Sequence, residues 1–265
     1  WYVDELLAYV QKTYRVDENR IFLTGLSMGG GGTWAYAGAS LVNAKKFAAI
    51  GVSCGACTNI DRCNLANANL PVWAFHAKDD KSPAPFSCTA GTIDAINACK
   101  PAVVPYFTAW ETGDHWIWGR VYDPGHNEQD PNLYEWFLGQ NKSLPVNKRP
   151  VIDAPDVTTT SSIASAVLDA SKSTDADGRI VRYSWRRISG PGGGTLSAGF
   201  SLDGKITVNS LVIEGKYVYE VKVIDDRADW TVKNITVNVV AGAPGTKKPI
   251  ADAGSELTVF YPATS

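Results

Sequence analysis

The sequence predicts two units of different class: an α/β unit with a parallel sheet and helices on both faces, then an all-β antiparallel sandwich. Three observations predict this. Up to about residue 140, short continuous apolar runs alternate with helical patterns, the signature of strands buried on both faces. From Asp156 onward the apolar residues recur at period two. All five Cys and all three His lie before residue 127, so composition also divides the chain.

Val3, Leu6, Leu7, Val10 and Tyr14 recur at helical spacing, giving an amphipathic helix over 3–14 with Asp4 and Glu5 at its positive end. A turn at Val16 to Asn19 leads into an apolar strand, Arg20 to Thr24, which enters Gly25. Beyond Gly32, Thr33 to Ala39 reads as a buried helix, so the pattern is strand, tight turn, helix. Further strands are expected at 47–53, 71–75 and 103–109, with helices near 91–99 and 133–138. In the second unit Val181, Tyr183 and Trp185 share one strand face, as do Tyr217 to Val223 and Ile235 to Val239 at alternate positions. Turns are expected at Asp175 to Gly178 and Asp225 to Ala228. A Pro-punctuated polar stretch joins the units, giving expected bounds of 1–144, a linker at 145–155, a sandwich at 156–241, and a second linker with a new repeat at 242–265.

The chain has 265 residues, 45% hydrophobic and 20% charged, which suits two globular units. A net charge of −2 offers no basic excess for nucleic acid or anionic membrane, and no run of 18 apolar residues could span a bilayer. The first residues, Trp-Tyr-Val-Asp-Glu-Leu, contain neither an initiator Met nor a leader pattern, so a piece of a longer product is expected. Three of the Cys crowd into 54–63; disulfides fit better than zinc, because Cys54 and Cys57 have no second matching pair, and the pairing stays open. Neither a metal nor a cofactor is expected.

Gly25-Leu26-Ser27-Met28-Gly29 places a Gly-x-Ser-x-Gly pattern between a strand and a helix. Such a turn lifts the Ser27 side chain above the sheet, with Gly25 and Gly29 expected to let strand and helix approach, and the Met28 amide becomes a donor for an oxyanion. A serine nucleophile needs a base and a carboxylate, in the order Ser, Asp or Glu, His on such a sheet. The strand at 71–75 runs into His76-Ala-Lys-Asp79-Asp80, and that at 103–109 into a loop with Asp114-His115-Trp116. His115 is the expected base; Asp79 and Asp80 are equivalent on this logic. His126 is expected at the surface and His76 in loop packing.

With these segments in view, the first unit resembles the α/β-hydrolase superfamily, more narrowly secreted esterases similar to polyhydroxybutyrate depolymerases, feruloyl esterases and acetylxylan esterases. The resemblance rests on Tyr14 to Gly30, Pro71 to Asp80 and Gly113 to Tyr122, about residues 1–140. The family usually carries His-Gly-x-x-Asp after the penultimate strand; aligning His76 with that His implies Asp80 as the carboxylate, with Ala77 in place of the Gly. It normally has about four strands before the helix at 3–14 and a loop with a second oxyanion amide, so this chain alone is expected to be poorly soluble and nearly inactive. Leu168 to Gly178, Tyr183-Ser-Trp185, Ile188 to Pro191 and Val223 to Asp226 resemble the polycystic-kidney-disease (PKD) domain, an immunoglobulin-like module, and Pro249 to Gly254 resembles the start of another. Such modules imply spacing or polymer attachment; Asp175 and Asp177 read as a turn rather than a Ca²⁺ site.

The resemblances together imply a secreted or cell-surface serine esterase of bacterial type, acting without a cofactor on acetyl or feruloyl esters of plant polysaccharides. Its partner is then an ester-bearing polysaccharide or polyester. Ser27, Asp80 and His115 are the expected catalytic residues, the Met28 amide the oxyanion donor, and Trp116 and Trp118, with Trp110 nearby, candidate substrate platforms. Prolyl-oligopeptidase-like peptidases and polyester depolymerases use the same triad, and a non-catalytic extracellular binding module is the alternative from another class.

Overall fold

The computed structural model describes residues 2–125 and 129–242. Helix α1 (Tyr2–Thr13) opens the chain; Val3 and Leu7 pack toward the core while Leu6 and Tyr9 stay exposed. Its Asp4 accepts hydrogen bonds from Lys46 Nζ and Tyr36 Oη, and these two donors hold the Asp4 carboxyl well below its usual range. A 3₁₀ turn at Glu18–Arg20 takes the first residue of the expected strand, so β1 (Phe22–Leu26) begins later. Helix α2 (Met28–Gly38) starts directly after Ser27 rather than at Thr33. Within the glycine run, Gly30 passes closest to the segment after β2: a Cβ on it would sit 2.8 Å from Gly55 Cα.

The alternation continues with α3 (Leu41–Ala44), β2 (Ala49–Ser53), α4 (Cys63–Asn67), β3 (Val72–Ala77), α5 (Phe86–Ala98), β4 (Tyr106–Trp110), α6 (Trp118–Tyr122) and α7 (Leu133–Gly139). Helices α3, α4 and α6 are one turn or so long, too short to leave a helical period in the sequence. The four strands pair in parallel in the order β1-β2-β3-β4. Alternate residues feed two cores. Ile50, Val52, Val72 and Ala74 meet Trp34, Leu65, Ile93 and Ile96 from α2, α4 and α5 on one face. Ala49, Trp73 and Phe75 meet Leu133, Trp136 and Phe137 of α7 on the other. Disulfides Cys57–Cys88 and Cys63–Cys99 tie the segment after β2 to α5, and Cys54 remains a buried free thiol.

The second unit comprises β5 (Val157–Thr160), β6 (Ser165–Asp169), β7 (Ile180–Ser189), β8 (Thr195–Leu196), β9 (Phe200–Ser201), β10 (Lys205–Asn209), β11 (Gly215–Asp225) and β12 (Trp230–Val240). They form sheets ordered β6-β10-β8 and β5-β12-β11-β7-β9. Tyr183, Trp185, Tyr217, Tyr219, Val221, Val223, Ile235 and Val237 fill the core between them, as period-two patterning requires. The pairing is not wholly antiparallel, since β5 runs parallel to β12. That pairing uses only β5, a four-residue edge strand whose Val-Thr-Thr-Thr text carries no mark of direction. Asp175 and Asp177 make turn contacts, Asp175 Oδ1 accepting from the Asp177 amide at 3.1 Å.

The linker does not hold the units apart. Trp230 of β12 stacks on Tyr106 of β4 at 3.7 Å and 11°, lies 4.7 Å from Trp73, and shares one apolar cluster with Trp136 and Phe137. Arg182 of β7 pairs with Glu135 of α7 at 2.7 and 2.9 Å and with Asp130. Trp136 Nε1 donates to Asp229 at 3.1 Å. The face of the sheet that α7 leaves uncovered is therefore closed by the sandwich, which explains why Trp73 and Phe75 can point there without contacting water. His126 and the expected second repeat at 249–254 lie outside the described residues.

Candidate active site

Three strand ends converge. β1 delivers Ser27 at the sharp turn into α2, with φ 53° and ψ −119°, a strained backbone for a residue with a side chain. The strain is held by neighbours: Ser27 N donates to Ser53 O at 2.9 Å, while Ser27 O accepts from Gly31 N and Ala56 N at 2.9 and 3.1 Å. Gly25 is needed here, because a Cβ would lie 2.3 Å from Gly29 O. Gly29 is not needed as expected, since a Cβ on it would meet nothing within 4 Å; the second close approach belongs to Gly30, further along α2. The amide of Met28 opens α2, where backbone N–H groups have no partner within the helix and the dipole is positive. The Met28 side chain is 83% exposed and marks the open side of the turn.

β3 ends just before Asp80 and β4 just before the loop carrying His115. His115 Nε2 lies 2.8 Å from Ser27 Oγ, and His115 Nδ1 lies 2.7 Å from Asp80 Oδ2. The structure thus brings together the three side chains expected from the sequence. It also separates the two aspartates, which sequence order alone leaves equivalent. Asp80 points at the imidazole, whereas Asp79 accepts from the backbone amides of Asp114 at 2.8 Å and Gly113 at 3.3 Å and so holds the loop. Burial raises the Asp80 carboxyl, but hydrogen bonds from His115, Ser82 and His76 outweigh it and hold it down to about 2. Asp80 is therefore an anion across the working pH range.

Two groups around Asp80 escape sequence reasoning. Ser82 donates its amide to Asp80 Oδ1 at 2.8 Å, and its hydroxyl sits 3.0 Å from His115 Nδ1. His76 does not pack in a loop as expected. It lies inside β3, fully buried, with Nε2 2.9 Å from Asp80 Oδ2 and Nδ1 2.8 Å from Thr89 Oγ1. The signal available was its position: residue 76 shares a strand face with Val72 and Ala74, toward α5.

The tryptophans divide. Trp118 packs edge-on against the His115 ring at 5.8 Å, and Trp116, 72% exposed, leans on Trp118 at 4.4 Å. Trp110 is half-buried, stacked with Phe75 at 6.1 Å and with the Arg120 guanidinium 5.5 Å from its ring. Cys54, Asp80 and His115 present ligand atoms within 4.8 Å of one another, the metal-competent grouping among the described residues. Asp80 and His115 already bond each other, and burial pushes the Cys54 thiol up to about 12.

Against known proteins, residues 154–239 match the family described as K319L-like, PKD domain, and the second unit carries a PKD domain. The Mus musculus dyslexia-associated protein KIAA0319-like protein is 36% identical over 120 residues, covering 45% of this chain and 11% of its own length. The chain spans about a tenth of the length of the curated relatives it matches. Among solved structures, the PKD domain from KIAA 1837 protein is 30% identical, covering 39% of this chain and 99% of that one with a TM-score of 0.33. A thermostable esterase is 25% identical, covering 53% of this chain and 36% of that one with a TM-score of 0.42. Among the described residues no helix is long and apolar enough to cross a membrane.

Proposed function

We propose that the first unit is a serine hydrolase of the α/β-hydrolase type that cleaves carboxylic esters through an acyl-enzyme. The observation that carries the reading is the unbroken line from Ser27 Oγ through His115 to Asp80, with links of 2.8 and 2.7 Å. Ser27 Oγ attacks the ester carbonyl while His115 Nε2 takes its proton. The new oxyanion meets the Met28 amide at the positive end of α2. His115 then gives its proton to the departing alkoxide, and water repeats the cycle to free the acid. Asp80 remains ionised throughout and stabilises the imidazolium.

For substrate class we infer acetyl or feruloyl esters on plant polysaccharides. The exposed Trp116 beside the triad supports this, since an open indole face stacks on sugar or aryl rings. Two disulfides favour an oxidising, extracytoplasmic setting, and the PKD domain is assigned a spacing or attachment role on the polymer. The test is release of p-nitrophenol from p-nitrophenyl acetate and of ferulate from methyl ferulate by wild type and Ser27→Ala. Activity lost in Ser27→Ala supports the reading. Cleavage of prolyl peptides or polyesters in place of these esters redirects the substrate class, and silence on every substrate favours a binding module.

A further inference from the structure

His76 has no task in the mechanism above, yet it is fully buried against the acid of the triad. Two imidazoles converge on one oxygen: His115 Nδ1 at 2.7 Å and His76 Nε2 at 2.9 Å from Asp80 Oδ2. An ionised carboxylate only accepts, so both nitrogens carry the hydrogen. His76 Nδ1 is then left as an acceptor, and Thr89 Oγ1, 2.8 Å away on α5, donates to it. Both ring nitrogens are satisfied in the neutral form. The other ring contact from α5 is Phe86, edge-on at 5.8 Å, and neither it nor Thr89 titrates.

We propose that His76 is a positioning residue: Thr89 fixes its tautomer, and its Nε2–H pins the Asp80 carboxylate in the orientation that receives His115. The proposal rests on the hydrolase reading. The ionisable groups acting on His76 are Asp80 and, more weakly, His115; burial outweighs the pull of Asp80 and of the Ala84 backbone carbonyl, lowering the His76 pKa and keeping the ring neutral. A charged His76 would neutralise Asp80 and deprive His115 of its counter-charge; a neutral donor orients the carboxylate without doing so. Because both N–H groups share Oδ2, His76 also draws some negative charge away from His115.

Two readouts test this. In His76→Leu, kcat on p-nitrophenyl acetate should fall about tenfold, the worth of one hydrogen bond to a charged group, with KM little changed. The acid limb of the pH profile should move to higher pH, because Asp80 then acts on His115 alone. His76→Gln, whose amide nitrogen reaches the Nε2 position, should restore both. Equal losses in Leu and Gln variants with an unmoved acid limb would reduce His76 to packing and overturn the proposal. Independently of turnover, ¹⁵N NMR of the ring nitrogens, simple with three His in the chain, should show wild-type His76 neutral with hydrogen on Nε2. A hydrogen on Nδ1, or a charged ring at neutral pH, would overturn the proposal even if His76→Leu fails to fold. An Nε2–H ring in a protein that cleaves no ester would instead uphold the pinning of Asp80 and sink the hydrolase reading.

Discussion

Asp225, at the end of β11 where the two units meet, offers a sharp test of how they are joined. It is 1% exposed and accepts from Asn147 Nδ2 at 2.7 Å and from the amides of Arg227 and Asp229 at 2.8 and 2.9 Å. Burial dominates these bonds and raises its carboxyl from 3.8 to about 6. Because the folded pKa lies above the unfolded one, the native state binds the extra proton between pH 4 and 6, and stability falls as pH rises through that window. A rise of that size is worth about 3 kcal/mol. Asp225→Asn removes the titration, so the difference in unfolding free energy, variant minus wild type, should grow by about that amount from pH 4 to pH 7 and then level off. Urea unfolding of both proteins across this pH range measures it. A difference independent of pH would show that Asp225 is not buried among these partners, and would refute the packing of the Asn147 linker against the turn after β11.

Trp230→Ala should cost about 3–5 kcal/mol by opening the cluster with Tyr106 and Trp73, and should split the melt into two calorimetric transitions; a single transition within 1 kcal/mol of wild type would contradict the shared core. Gly25→Ala places a methyl 2.3 Å from Gly29 O, so it should lower Tm sharply and abolish Ser27 reactivity, checked by thermal melts and labelling. Replacing Cys57 and Cys88 by Ser releases a loop of 31 residues and should cost about 3–4 kcal/mol in denaturant unfolding. Asp79→Ala frees the amides of Gly113 and Asp114 and should lower kcat/KM about tenfold with an unmoved acid limb, as pH-rate profiles would show.

The fold class was legible because buried parallel strands must be apolar throughout and sandwich strands must alternate, and both constraints act on every residue of a strand. The strand-to-helix turn was legible because few residues tolerate it. What escaped was anything decided by contact across the chain. Gly29 and Gly30 look alike in sequence, and only the passage of α2 over Gly55 tells which one lacks room for a Cβ. Spacing alone leaves Asp79 and Asp80 equivalent, and only the resemblance implied Asp80; the course of β3 aims Asp80 at an imidazole and Asp79 at a backbone. Disulfide partners follow from how α4 and α5 pack, which spacing does not encode. The docking of the sandwich escaped because Trp73 and Trp230, more than 150 residues apart, look like members of separate cores.

The central claim, that Ser27 is a nucleophile activated by His115 and Asp80, is tested most directly by covalent labelling with a fluorophosphonate, read by intact mass and peptide mapping. One adduct on Ser27 is expected in the wild type. None is expected in Ser27→Ala, and labelling should slow by at least 1,000-fold in His115→Ala. No adduct, or adducts spread over other serines at the same rate in all three proteins, would contradict it.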